Sequence, residues 1–144
     1  MQFFILHHQI LVKQSGYPLD NSIFNKDWQG KVILIIEDNL SCFRYFNEIL
    51  RRTEATIIHL ETGPDAIDYV CYTDNPIDLA LVDIQIPFIN GVEVIRELRK
   101  CRKGLPIIAE TAYSSPDVRR RSFMAGCHEY LIKPIAPQVL INTI

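Results

Sequence analysis

The sequence predicts an α/β domain built on a doubly wound, five-stranded parallel sheet with helices on both faces. From Lys31 onward, short apolar runs alternate with stretches of helical period, which is typical of repeated βα units. The first run, 32–36, has no polar face, so we expect a central strand that is buried on both sides. Polar residues follow several of these runs, at the strand ends where parallel α/β sheets bind their ligands.

The first half of the domain contains three predicted strands and two predicted helices. After the first strand, a helix is expected over 41–52, because its apolar residues recur on one helical stripe. A second strand follows over 55–60. Thr62 and Asp65 have the spacing of a capping box at the start of the second helix. The third strand, 79–82, leads directly into Asp83.

The second half of the domain repeats the pattern. Asn90 and Glu93 again have the spacing of a helix cap, so a third helix is expected to begin there and to end by Gly104. The remaining elements are a fourth strand over 106–111, a fourth helix from Pro116 to near Gly126, a fifth strand over 130–132 and a short last helix from Pro137.

The size and charge of the chain limit what it can do. Its 144 residues suffice for one domain, which we expect over 31–144, and residues 1–30 resemble a leader or linker because they show turn chemistry and no clear period. A net charge of −2 gives no field that would hold nucleic acid or an anionic membrane directly. No segment approaches the ~20 apolar residues of a membrane span. We therefore expect a cytoplasmic location.

The four cysteines, Cys42, Cys71, Cys101 and Cys127, lie far apart in the sequence and form no C-x-x-C pair. Neither a zinc site nor a redox dithiol is indicated by this spacing. We expect buried, reduced thiols.

Chemically active side chains follow four of the predicted strands. Glu37 and Asp38 end the first strand, Asp83 the third, Thr111 the fourth and Lys133 the fifth. Each of them alone is more simply explained as a helix cap, a turn residue or a solvated side chain. Their common position at one edge of the sheet favours a site.

The residue types at this edge indicate phosphoryl transfer. Three crowded carboxylates repel one another unless a divalent cation lies between them, and oxygen ligands suit Mg2+. A lysine and a threonine hydroxyl beside such a metal suit an incoming phosphoryl group. A carboxylate can act as the nucleophile, and Asp83 is the best placed of the three.

The segments at this edge form a specific combination: Glu37-Asp38-Asn39, Val82-Asp83-Ile84-Gln85-Ile86-Pro87, Asn90-Gly91, Thr111-Ala112 and Tyr130-Leu131-Ile132-Lys133-Pro134. The combination resembles bacterial two-component receiver domains (response regulators) over about residues 31–144. The resemblance implies a flavodoxin-like fold with strand order 2-1-3-4-5. It also implies phosphorylation of Asp83 and binding of Mg2+ by Glu37, Asp38, Asp83 and the backbone carbonyl of Gln85. Glu37 stands where the family commonly has aspartate.

The same resemblance assigns the other residues of the site. Thr111, Ala112 and Lys133 would bind the phosphoryl group, and Tyr130 would turn inward when Thr111 moves toward it. The peptide bond between Lys133 and Pro134 would be cis. The phosphoryl donor would be a histidine kinase or a histidine phosphotransfer protein. A homodimer would form through the face made by the fourth helix and fifth strand.

Two residues near the site are unusual. Glu110 is a charge in a strand that otherwise has the composition of a core, so its ionisation should be suppressed unless it finds a partner. Tyr113, like Gln85, lies two residues beyond a strand-end residue of the site. We hypothesise that the Tyr113 ring shields the acyl phosphate from water; the alternative is an aromatic at the rim of the site with no kinetic role.

Two other classes of function compete with phosphoryl acceptance by a receiver domain. An aspartate-nucleophile phosphatase would need a second aspartate where this chain has Gln85, and no dinucleotide or P-loop motif is present. A receiver fold that is never phosphorylated and only binds a partner is disfavoured by the intact site. The chain fits either a stand-alone regulator or the receiver of a hybrid sensor histidine kinase.

Overall fold

A computed structural model describes residues 26–113 and 115–144 and contains one sheet of five parallel strands in the order β2-β1-β3-β4-β5. The predicted fold class and strand order are therefore confirmed. The strands are β1 Val32–Ile36, β2 Thr56–Leu60, β3 Leu79–Asp83, β4 Ile107–Thr111 and β5 Glu129–Ile132. All five residues of β3 and of β4 are buried, as expected for central strands that are covered on both faces.

Helices cover both faces of the sheet, in two separate core clusters. The helices are α1 Leu40–Leu50, followed by a 3-10 turn over Arg51–Thr53, then α2 Gly63–Cys71, α3 Gly91–Cys101, α4 Pro116–Ala125 and α5 Pro137–Thr143. Apolar residues of α1 and α5 pack on one face, and those of α2, α3 and α4 pack on the other. None of these helices, in the part of the chain described, is long and apolar enough to cross a membrane.

Side-chain caps fix where three helices begin. The Thr62 hydroxyl oxygen accepts a hydrogen bond from the Asp65 backbone N–H, and the Asn90 side chain accepts one from the Glu93 N–H, as the cap spacings predict. Asn39 caps α1 by accepting hydrogen bonds from two backbone N–H groups of its first turn. The caps at Asn39 and Asn90 thus fix the far ends of the two loops that begin at Glu37 and Asp83.

The predicted leader is only partly within the described residues. Residues 1–25 lie outside them, so the expectation of a leader or linker there stays a prediction. Trp28, however, packs against the cluster that contains α1 and α5, and its backbone N–H donates a 2.7 Å hydrogen bond to the carbonyl of Thr53. Packing contacts with the domain thus begin a few residues before the predicted boundary at Lys31.

The cysteine expectation is wrong for one pair. Cys71 and Cys101 form a disulfide, and neither is buried, whereas Cys42 and Cys127 are free thiols, half-buried and buried respectively. The pair ends two helices, α2 and α3, that pack side by side. A separation of 30 residues carries no motif, so the spacing alone could not indicate that packing would bring the sulfur atoms together.

Candidate functional site

The polar strand-end residues lie together at one edge of the sheet. Glu37 directly follows β1, Asp83 is the last residue of β3, Thr111 is the last residue of β4, and Lys133 directly follows β5. Parallel strands place their carboxyl ends at the same edge. Glu37, Asp83 and Thr111 are buried and Asp38 is exposed, so the group forms the floor and rim of a cleft.

Lys133 links two of the carboxylates. Its ammonium Nζ lies 2.5 Å from Glu37 Oε2 and 2.8 Å from Asp83 Oδ2, and the Lys133 side chain is only 14% exposed. Burial opposes the charge on the ammonium, but the surrounding carboxylates outweigh burial and raise the pKa of Lys133 above its ordinary value. Lys133 is therefore a fixed cation that faces into the cleft.

Three carboxylates converge beside this cation. One oxygen from each of Glu37, Asp38 and Asp83 can be chosen so that all three lie within 4.8 Å of one another. A set of oxygen donors at this spacing fits a small divalent cation such as Mg2+. The backbone N–H of Gln85 donates a 2.8 Å hydrogen bond to Asp83 Oδ1, while ligation by the carbonyl of Gln85 stays a prediction.

Tight backbone packing holds the loop after Asp83. The Gly91 N–H donates a 2.9 Å hydrogen bond to the carbonyl of Ile84. A Cβ atom at Gly91 would lie 2.2 Å from the Asp83 carbonyl oxygen, which is far inside contact distance. Glycine is thus required here for the start of α3 to approach the end of β3.

Thr111 and Tyr130 are connected through the segment that follows β4. The Thr111 hydroxyl oxygen accepts a 3.0 Å hydrogen bond from the Tyr113 N–H, and the Tyr130 hydroxyl donates a 3.2 Å hydrogen bond to the Tyr113 carbonyl. Tyr130 is buried already, and the guanidinium of Arg119 lies 5.8 Å from the centre of its ring. Ala112 is exposed directly after β4.

The backbone that follows Lys133 also has the form implied by the resemblance. The Lys133–Pro134 peptide bond is cis. The Lys133 N–H donates a 2.8 Å hydrogen bond to the carbonyl of Thr111, which continues the pairing of β4 and β5 beyond the strands. The ammonium and the threonine are thus parts of one connected edge.

Glu110 belongs to the site, although its position in a core-like strand had suggested only a suppressed charge. It pairs in register with Asp83, is fully buried, and has Oε1 3.9 Å from Lys133 Nζ. Burial raises the pKa of Glu110 to about 9. The negative charges of Glu37 and Asp83 also raise it, whereas the positive charge of Lys133 lowers it. Neither Glu110 oxygen accepts a hydrogen bond from a described residue. Two carboxylates can share a hydrogen bond only when one of them is protonated, so the closeness of Glu37 also favours a protonated Glu110.

His59 was also not among the site residues that the sequence predicted. Its Nε2 lies 2.7 Å from the Glu37 carbonyl oxygen, and its ring stacks on Phe43 with 3.7 Å between centroids. No ligand spacing in the sequence points to this contact. His59 therefore supports the backbone at the end of β1 from the neighbouring strand.

Comparisons with known proteins agree with this fold. A family model described as the response regulator receiver domain matches residues 33–144. The polar-differentiation response regulator DivK of Brucella ovis is 31% identical over 116 residues, which cover 79% of this chain and 93% of the relative.

Two solved structures extend the similarity. A CheY-like response regulator receiver domain protein from Methanospirillum hungatei JF-1 has a TM-score of 0.74 at 27% identity, with 78% of this chain and 89% of that chain covered. The receiver domain of sensor histidine kinase PA1611 from Pseudomonas aeruginosa PAO1, with a magnesium ion coordinated in its active-site cleft, has a TM-score of 0.72 at 28% identity, covering 79% and 93%. The chain therefore belongs to the response regulator receiver domain family, whose members are signalling modules of two-component systems and interact with histidine kinases or phosphotransfer proteins.

Proposed function

We propose that this receiver domain accepts a phosphoryl group on Asp83 from a phosphohistidine, in a Mg2+-dependent step of a two-component phosphorelay. The observation that carries the proposal is the position of the Asp83 carboxylate, which lies 2.8 Å from the Lys133 ammonium and within 4.8 Å of the acid pair Glu37 and Asp38. A nucleophile flanked by a fixed cation and by a metal-binding group matches what phosphoryl transfer needs, which is positioning and charge neutralisation.

In the proposed reaction, a carboxylate oxygen of Asp83 attacks the phosphorus atom of a phosphohistidine. An O–P bond forms as the P–N bond of the donor breaks, and the donor imidazole leaves and takes up a proton as needed. Lys133 neutralises part of the charge on the phosphoryl oxygens, and the Thr111 hydroxyl would donate a hydrogen bond to one of them. The backbone N–H of Gln85 holds Asp83 Oδ1 in a fixed orientation throughout.

Glu37, Asp38 and Asp83 would hold Mg2+, with the backbone carbonyl of Gln85 as a fourth protein ligand. When bound, the ion supplies charge neutralisation to the phosphoryl oxygens. The spacing of the three carboxylates supports this assignment, as does the magnesium ion in the cleft of the related Pseudomonas receiver.

Phosphorylation would be transmitted through Thr111 and Tyr130. An acyl phosphate adds about two negative charges at Asp83, and these attract the Thr111 hydroxyl. Since Thr111 and Tyr130 both bond to backbone groups of Tyr113, a shift of Thr111 changes the support of the Tyr130 ring. The expected result is repacking of the face formed by α4 and β5.

The proposed partners follow from this surface and from the donor. The face of α4 and β5 exposes Phe123, Met124 and Ile132, which supports a homodimer or an output partner there. A histidine kinase or a histidine phosphotransfer protein would supply the phosphoryl group, with the chain acting alone or as the receiver of a hybrid kinase. We propose a cytoplasmic location for this exchange.

The test mixes the full chain with Mg2+ and a small acyl-phosphate donor and follows the intact mass. We expect one added phosphoryl group, lost in Asp83→Asn and retained in the control Asp74→Asn, which changes an exposed aspartate outside the site. Omitting Mg2+ should also prevent the addition. A phosphoryl group that still appears on Asp83→Asn would refute the assignment.

A further inference from the structure

We infer that Cys71 and Cys101 form a redox modification site, a dithiol that peroxides or small-molecule disulfides oxidise reversibly to a crosslink between α2 and α3. The two cysteines are the last residues of these helices. Their Cα atoms are 5.4 Å apart, which is within the range that a disulfide spans without backbone movement. The pair therefore needs no rearrangement to close.

Hydrogen bonds from Arg102, which do not involve sulfur, hold the ends of α2 and α3 together. Arg102, which follows Cys101, donates hydrogen bonds from its guanidinium to the carbonyl of Val70 at 3.1 Å and to that of Thr73 at 2.6 Å. These bonds satisfy carbonyls at and just beyond the end of α2, and because they involve neither sulfur atom we expect them to remain when the disulfide is reduced. The thiols of the reduced protein therefore stay adjacent, which favours closure over reaction with another molecule.

A second contact fixes α2 and α3 near their first turns. A Cβ atom at Gly63 would lie 2.7 Å from Val94 Cγ2 and 3.1 Å from the Ile89 carbonyl oxygen, so the helices approach closely there. With Arg102 at one end and Gly63 at the other, the relative position of the helices does not depend on the disulfide. Both redox forms should therefore keep the fold.

Exposure distinguishes Cys101 from the other three cysteines. Cys101 is exposed and Cys71 is half-buried, whereas Cys127 is buried. Burial also raises the pKa of the Cys127 thiol to about 11, which leaves little thiolate to react. Cys42 is half-buried, and burial raises its pKa too. Oxidants and reductants should therefore reach the pair first.

The chemistry balances with a named oxidant. The Cys101 thiolate attacks one oxygen of hydrogen peroxide, forming a sulfenic acid and releasing water after protonation. The Cys71 thiolate then attacks that sulfur, and a second water leaves as the S–S bond forms. The two thiols lose two electrons and two protons in total, and an added dithiol returns them by exchange.

The crosslink encloses the phosphoacceptor segment without touching it. The sulfur atoms join at the edge where β3 and β4 begin, and Asp83 is at the opposite end of β3. The closed ring of residues 71–101 nevertheless contains β3, Asp83 and the loop that leads to α3. Oxidation therefore closes a covalent ring around the segment that carries the phosphoacceptor. This chemistry does not require Asp83 to accept a phosphoryl group.

The experiment treats the fully reduced chain with a slight excess of hydrogen peroxide, or with oxidised glutathione, and alkylates the remaining thiols. We expect two of the four cysteines to be protected, a Cys71–Cys101 crosslinked peptide, and full recovery of four thiols with a dithiol. Cys71→Ser and Cys101→Ser should each abolish the intramolecular crosslink. Cys42→Ser, the matched control, should leave it unchanged.

Several outcomes would overturn the proposal. These are four alkylatable thiols after oxidation, a crosslink that includes Cys42 or Cys127, crosslinks only between chains, or a disulfide that a dithiol does not reopen in the folded protein. Circular dichroism of each oxidised sample shows whether the chain was folded when it reacted. None of these readouts depends on phosphoryl acceptance, so the two proposals can fail separately.

Discussion

The buried carboxyl of Glu110 should make the stability of the domain fall as the pH rises. Glu110 is fully buried, and neither of its oxygens accepts a hydrogen bond from a described donor. Ionising it in the folded protein therefore places a desolvated charge beside Glu37 and Asp83, and the Lys133 ammonium at 3.9 Å offsets only part of the cost. Glu110→Gln replaces the carboxyl with a neutral amide of nearly the same volume, so it removes the titration and keeps the packing.

The direction of the effect follows from the two pKa values. The unfolded chain releases this proton near the ordinary value of 4.5, and the folded chain holds it until about 9. The stabilisation from the bound proton is thus complete below about pH 4.5 and is lost progressively as the pH rises to about 9. Each pH unit in this window costs about 1.4 kcal/mol, so a rise of about two units should cost the wild type about 3 kcal/mol through this group.

Urea unfolding of wild type and Glu110→Gln, at about pH 5.5 and about pH 7.5 in buffer with EDTA, measures the effect. The free energy of unfolding of the variant should fall less with pH than that of the wild type, by about 2 to 3 kcal/mol. Glu129→Gln, which removes an exposed carboxylate from β5, should follow the wild-type slope. Parallel curves for wild type and Glu110→Gln would show that Glu110 is ionised in the folded protein and would refute the reasoning.

Three further predictions concern the backbone, the disulfide and the rim of the site. Gly91→Ala should lower the free energy of unfolding by more than about 2 kcal/mol, because its Cβ would overlap a backbone carbonyl. Gly104→Ala places its Cβ in open space and should not lower it, and urea titration of both variants measures the difference. Reduction of the Cys71–Cys101 disulfide should cost about 3 to 4 kcal/mol in the same assay, since it opens a ring with a sequence separation of 30, and Cys71→Ser should not respond to reductant. Tyr113→Ala should speed loss of the phosphoryl group if the ring, 68% exposed at the rim, shields the acyl phosphate; an unchanged rate would leave Tyr113 without a kinetic role.

The sequence was sufficient to predict the fold because, in each βα unit, the local signals for strand, cap and helix agree with the pattern of buried apolar residues. The run 32–36 becomes a central strand, and the caps at Thr62 and Asn90 begin helices where their spacing indicates. The carboxyl ends of parallel strands meet by geometry, which is why residues as distant as Glu37 and Lys133 could be assigned to one site before their 2.5 Å contact was known.

Contacts set by packing between elements were not predictable. The Cys71–Cys101 pair depends on how α2 and α3 lie side by side, and the docking of Trp28 depends on a cluster built from distant helices. Glu110 belongs to the same class, because the strand order makes β3 and β4 neighbours but does not set their register. In the structure it is Glu110, one residue before the end of β4, that pairs with Asp83.

The hydrogen bonds at the cleft mean that two of the proposed metal ligands are oriented before any ion arrives. Both oxygens of Glu37 are held, by the Asn39 N–H at 2.9 Å and by Lys133, and both oxygens of Asp83 are held, by the Gln85 N–H and by Lys133. Binding a cation therefore freezes few additional rotors, and its entropic cost is correspondingly small. The Lys133 ammonium already contacts one oxygen of Glu37 and one of Asp83. An incoming divalent cation must therefore compete with this ammonium for the same lone pairs, which lowers the affinity of the cleft for the ion.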